Sequence, residues 1–150
     1  MLAEQRVADE FEAQLIAFIR AFGLHHGDRT PCGQPISVSE AHALTELATH
    51  GPLTQKQLVD RLHLEKSTIS RLAEALEKRG WIARQPHATD RRALTLHLTD
   101  AGRRIAQKVQ SARRAKFERL LLAVPDYQRP NVLAALSALV EALDHAEQPA

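Results

Sequence analysis

EKSTISRLAEALEKR, Glu65 to Arg79, decides how the rest of the chain is read. Wound at about 100° per residue, it gathers Ile69, Leu72, Ala73 and Leu76 into one narrow sector and puts Ser67, Ser70, Arg71, Glu74 and Lys78 on the opposite one. One face belongs to a core and the other meets a partner. The outward face opens with short hydroxyl side chains and a guanidinium. That is the part of a helix that reaches base edges and phosphates when it lies in the major groove of DNA.

The segment before it points the same way. Thr54 stands where it can cap a short helix, TQKQLVDRLHL, whose Leu58 and Leu62 face inward, and a turn of a few residues leads into Glu65. Two short helices around a tight turn, the second with a polar outer face, make a helix-turn-helix. The second ends at Gly80, where a left-handed residue is wanted, just after Lys78 and Arg79, whose charges suit a helix C-terminus. In WIARQP, Ile82 and Arg84 alternate, and in LTLHL, Leu94, Leu96 and Leu98 alternate with Thr95 and His97. Both read as strands with one buried face, forming a β-hairpin with a long basic tip, HATDRRA.

Outward from this centre the chain reads as helical. On the N-terminal side, Val7, Phe11, Leu15, Phe18 and Phe22 form one stripe along a helix of residues 3–22 that stops at Gly23. The connector LHHGDRTPCGQPIS follows, and helix resumes after Ser39, taken as its N-cap, until Gly51-Pro52. On the C-terminal side, Thr99 or Asp100 starts a helix running to about Val124. It carries the basic run Arg103 to Arg119, which reads as a solvated strut with Arg103 and Arg104 the members nearest a phosphate. After PDYQRP a last helix places Val132, Leu133, Leu136, Leu139, Val140 and Leu143 on one broad apolar face. Two stripes, at opposite ends of the chain, exceed what a small central lobe can cover. The termini are therefore expected to pack together and against a second copy.

Composition agrees. With 150 residues, 44% hydrophobic and only 4% aromatic, the chain suits one domain of aliphatic-packed helices plus an extension. Residues 1–50 carry 3 basic and 7 acidic side chains (−4), residues 51–104 carry 11 and 6 (+5), and residues 105–150 carry 6 and 5 (+1). Any surface for a polyanion is thus local and central. No apolar run approaches the roughly 18 residues that span a bilayer, and MLAEQRVADEFE is too acidic for a signal peptide, so a cytoplasmic location without membrane contact is expected. The single cysteine, Cys32, excludes an internal disulfide.

The order of elements, together with GPLTQKQLVDRLHLEKSTISRLAEALEKRGWIAR, TDRRA and LTLHLTDAG, resembles the MarR family of winged-helix transcription regulators. The resemblance implies a mainly α (α+β) protein: a winged helix-turn-helix lobe with a two-stranded wing at 39–100, dimerisation helices at 1–38 and 125–150, and a linking helix at 100–124. It further implies a homodimer on a pseudo-palindromic operator in double-stranded DNA, commonly a repressor released by a small ligand, a metal or an oxidant. By the same resemblance Lys66, Ser67, Thr68, Ser70 and Arg71 would lie in the major groove. Thr54 and Lys56 would hold phosphates. Arg92, steadied by Asp90 and accompanied by His87 and Arg91, would enter the minor groove, whose narrow stretches attract arginine.

Three other readings compete at particular residues. His25, His26, Cys32 and His42 are ligand types that bind Zn(II), although their spacing matches no standard motif. Surface histidines with an incidental cysteine account for them better than a metal does, and oxidation of Cys32 is a third reading. A winged helix can also serve as a protein-interaction module, against which the +5 segment and the arginine-rich tip argue. An enzyme built on Cys32 with His25 or His26 lacks an oriented third group and an oxyanion hole, so no enzymatic activity is expected. Trp81 and Phe117 read as core aromatics.

Overall fold

The computed structural model describes residues 1–90 and 92–146. The described residues form six α-helices: α1 (Leu2–Phe22), α2 (Val38–His50), α3 (Gln55–Leu62), α4 (Lys66–Lys78), α5 (Asp100–Ala123) and α6 (Arg129–Ala146). Three strands, β1 (Leu53–Thr54), β2 (Ile82–Pro86) and β3 (Leu94–Leu98), form an antiparallel sheet in the order β1-β3-β2. The expected two-stranded wing is thus part of a three-stranded sheet, because Leu53 and Thr54 pair with Leu96 and Thr95. Two residues are too few to show a period of two in sequence.

The chain divides into two units, Met1–Arg113 and Arg114–Ala150. In the first, Leu44, Leu58, Ile69, Leu76, Leu96 and Val109 are fully buried side chains of one core, so α2, α3, α4, β3 and the first half of α5 each contribute to it. Trp81 and Leu98 pack on its edge. None of α1 is buried, and Phe11, Leu15 and Phe18 stand exposed along it. In the second unit, a 3-10 turn at Asp126–Gln128 leads into α6. Arg129 donates through Nε to the carbonyls of Leu121 and Val124 (3.0 and 3.1 Å) and through Nη2 to that of Leu122 (3.3 Å), satisfying the orphan carbonyls at the end of α5. No residue of α6 is buried either, and Leu133, Leu136, Val140 and Leu143 are exposed. Phe117, expected in a core, is about half exposed.

Several local expectations need correction. α2 starts two residues earlier than expected: its N-cap is Ser37, not Ser39. Ser37 Oγ accepts the Glu40 N–H (3.1 Å) while Glu40 Oε2 accepts the Ser37 N–H (2.9 Å), a reciprocal capping box. Ile82 and Arg84 do not take opposite faces. Two residues apart on a strand, they share one, and Arg84 stays there because its Nε lies 3.1 Å from Glu77 Oε2 on α4. At the far end of β3 Leu94 is exposed and Thr95 buried, because only the Thr95–Leu98 end of the strand overlies the core.

The joint between sheet, α4 and α5 is close. α4 ends in a Schellman motif, with Trp81 N–H donating to Leu76 O and Gly80 N–H to Glu77 O at a left-handed Gly80 (φ +73°). Thr99 Oγ1 then donates to Gly80 O (2.6 Å) and accepts the Gly102 N–H (3.0 Å), which makes Thr99 the cap of α5. Gly102 packs directly on the chain at Trp81. A Cβ there would fall 1.9 Å from Trp81 O.

Candidate nucleic-acid interface

α3 and α4 are built to hold one polar face outward. Thr54 caps α3 through a second capping box, accepting the Gln57 N–H (3.1 Å) while Gln57 Oε1 accepts the Thr54 N–H (2.8 Å). The Thr54 hydroxyl proton stays available to a further acceptor, and Lys56 beside it is exposed. The turn between the helices runs through His63, which takes a left-handed conformation (φ 52°) to reverse the chain in so few residues. In α4, Ile69, Leu72, Ala73 and Leu76 are buried, whereas Lys66, Ser67 and Arg71 are exposed and Thr68 and Ser70 partly so. Glu65 is the N-cap without a side-chain hydrogen bond, so the first-turn amides of α4, with the positive end of the helix dipole, face outward beside those hydroxyls.

Ion pairs fix the back of this unit. Arg79 reaches Glu40 on α2 (3.4 Å) with its guanidinium over the Trp81 ring (4.8 Å), Arg84 reaches Glu77, and Arg61 joins α3 to Glu46 on α2 (3.3 Å). Lys56, Lys66, Arg71 and Arg92, by contrast, take part in no side-chain ion pair among the described residues. The paired cations tie elements of the scaffold together, whereas these four are exposed and lie outside those pairs. Arg103 belongs to the first group: it binds Asp100 and donates to Leu98 O (3.1 Å), so it is not free for a phosphate. That bond holds the Asp100 carboxyl below the usual carboxylate range.

Hydrogen bonds among the described residues of the wing tip close it into a turn. His87 N–H donates to Ala93 O (2.9 Å) and Ala93 N–H to Asp90 O (3.1 Å), while Asp90 Oδ1 accepts the Arg92 N–H (3.0 Å). Asp90 therefore shapes the backbone that presents Arg92, whose side chain is exposed. His87 is only partly exposed, and its Nδ1 is turned inward to Thr89 and Asp90. Arg91 lies outside the described residues.

The residues weighed for a metal do not assemble. His25 and His26 lie ring against ring (4.4 Å between centroids), Cys32 Sγ is hydrogen-bonded to Thr30 Oγ1 (3.0 Å), and His42 is on α2. Among the described residues no three His, Cys, Asp or Glu side chains come together as a metal site. No described helix is long and apolar enough to cross a membrane. The tie from Glu40 to Arg79 was not foreseen, although Ser37-x-x-Glu40 carries the capping-box signature that marks Glu40 as more than a surface acid.

Comparison with known proteins places this geometry among relatives. Residues 36–94 match the model of the MarR family. An HTH-type transcriptional regulator of Mycobacterium bovis is 32% identical over 111 residues, which cover 73% of this chain and 76% of the relative. A probable transcriptional regulator from Pseudomonas aeruginosa has a crystal structure matching at a TM-score of 0.73 and 25% identity, over 89% of this chain and 98% of that one. The crystal structure of Streptococcus pneumoniae FabT in complex with DNA matches at a TM-score of 0.70 and 22% identity, over 97% of each chain.

Proposed function

Since the chain belongs to the MarR family of DNA-binding transcriptional regulators, we propose that it works as a cytoplasmic homodimer that reads a pseudo-palindromic operator and represses by occupying it. The observation that carries this reading is the division of cations described above. The guanidiniums behind α4 are tied to Glu40 and Glu77, while Arg71 on α4 and Arg92 on the wing take part in no side-chain ion pair among the described residues. In this reading α4 enters a major groove, with Ser67, Thr68, Ser70 and Arg71 at base edges and Lys66 at its rim. Thr54 and Lys56 hold phosphates, and Arg92, on the turn shaped by Asp90, enters the adjacent minor groove.

A second copy supplies the twin reading head and covers the apolar faces of α1 and α6. Half-sites would then lie about one helical turn of DNA apart, roughly 10 bp, or a small multiple of it. An effector that binds one spacing of the two heads better than another would shift operator affinity by that difference.

Fluorescence anisotropy with a duplex from the region upstream of the protein's own coding sequence, and with a scrambled duplex, tests the assignment across a salt series. Arg71→Ala should lower affinity for the upstream duplex by about tenfold or more while leaving the scrambled one nearly unchanged. Lys56→Ala should weaken both and reduce the salt slope by about one. Equal losses on both duplexes for Arg71→Ala would remove the base-reading role.

A further inference from the structure

His87 looks at first like one more cation on a basic loop, but its hydrogen bonds assign it another task. Its Nδ1 lies 3.3 Å from the backbone nitrogen of Thr89, 3.3 Å from that of Asp90 and 3.1 Å from Thr89 Oγ1. Backbone N–H groups only donate, so Nδ1 carries a lone pair and the ring's proton belongs on Nε2. The ring nitrogen stands at the same bond distance from Cβ as the Oδ1 of asparagine or aspartate. It bonds the amides two and three residues on, as those side chains do when they nucleate a turn.

The bonds then run in sequence toward Arg92. His87 Nδ1 holds the Asp90 amide; Asp90 Oδ1 holds the Arg92 amide (3.0 Å); Asp90 O and His87 N–H both meet Ala93, closing the loop. An imidazolium at this place would aim an N–H at two other N–H groups.

We propose that His87 is a positioning residue of the wing, a neutral hydrogen-bond acceptor that folds the turn presenting Arg92 and makes no cationic contact with phosphate. The consequence for DNA affinity rests on the wing reading given above, whereas the acceptor role stands on the free protein alone. The sign of its substitutions follows. A side chain that keeps an acceptor two bonds from Cβ preserves the turn, and one that keeps only positive charge does not.

The full-length protein tests both parts. Long-range 1H–15N correlation of the histidine rings should show His87 with a bare Nδ1 and a protonated Nε2, and amide hydrogen exchange at Thr89 and Asp90 should accelerate in His87→Ala. Anisotropy with the upstream duplex should show His87→Ala and His87→Lys weakened about fivefold to tenfold, as for the loss of a side-chain cap, with His87→Asn recovering most of that loss. Lysine binding as well as histidine while asparagine binds as poorly as alanine would overturn the proposal in favour of a phosphate contact. So would a ring protonated at Nδ1 in the free protein. If Arg92→Ala leaves DNA affinity unchanged while the ring and exchange signatures hold, the wing reading fails and the acceptor role survives.

Discussion

Gly102 is a residue whose identity is dictated by its neighbour. The chain at Trp81 lies so close that a methyl group would overlap its carbonyl oxygen, and backbone on both sides cannot step aside as a flexible side chain would. Gly102→Ala should therefore destabilise the protein by about 3 kcal/mol or more, despite alanine's better helix propensity. Urea unfolding followed by circular dichroism measures it, and an unchanged midpoint would mean that α5 can shift freely at its start. His42 makes a second case. It is exposed on α2, yet the partial desolvation it suffers and the Arg113 charge hold its imidazole below the ordinary value, with Glu46 opposing them. The unfolded chain consequently takes up this proton before the folded one does. Stability should fall as pH drops below about 6.5, and level off once the folded group also protonates. His42→Gln should flatten that part of the stability curve relative to the parent protein, and identical slopes for the two would count against the shift.

At the scale of the element, α4 owes its pose to contacts at its back. Glu40 is nearly buried (7% exposed), and its two oxygens serve different masters: one closes the capping box of α2, the other meets Arg79 just past the end of α4. Glu40→Gln offers an amide where Arg79 needs an anion, and should cost about 1–3 kcal/mol. A double-mutant cycle with Arg79→Ala should return a clear coupling energy, and additivity of the two would sever the tie. Helices and most of their ends were legible because apolar spacing, Thr54, Gly23, Gly51 and Gly80 are local signals. β1 was not, being two residues long. Nor was the inward turn of Arg84, since it depends on Glu77 being brought beside β2 by the docking of α4. Within the candidate interface, the outward set of α4 was read from its period alone. The tautomer of His87 is settled by which amides the turn points at it, and no spacing in HATDRRA reveals that.

At the scale of the whole molecule, the exposed apolar faces of α1 and α6 are too long to be left to water. Leu15, Phe18, Leu136 and Val140 each stand more than a third exposed. Paired with a second copy, each such side chain would lose most of that exposure, contributing on the order of 1–2 kcal/mol. Phe18→Glu should therefore shift the protein toward monomer in sedimentation velocity and, with one reading head in place of two, lower affinity for the upstream duplex by about a hundredfold or more. A variant that sediments as the parent does would exclude α1 from the contact. The sheet adds a consequence for how the wing meets its target. β3 is bonded on both edges at Thr95 and Leu96 and to β2 alone at Leu94, whose pair with Pro86 is the last before the turn that His87 and Ala93 close. The third strand thus braces the root of the hairpin and leaves the Pro86–Leu94 end to its own two strands, which fixes the angle at which the hairpin leaves the core. If the wing enters a minor groove as proposed, a hairpin braced only at its root would meet differences in groove width from one sequence to the next without moving α4.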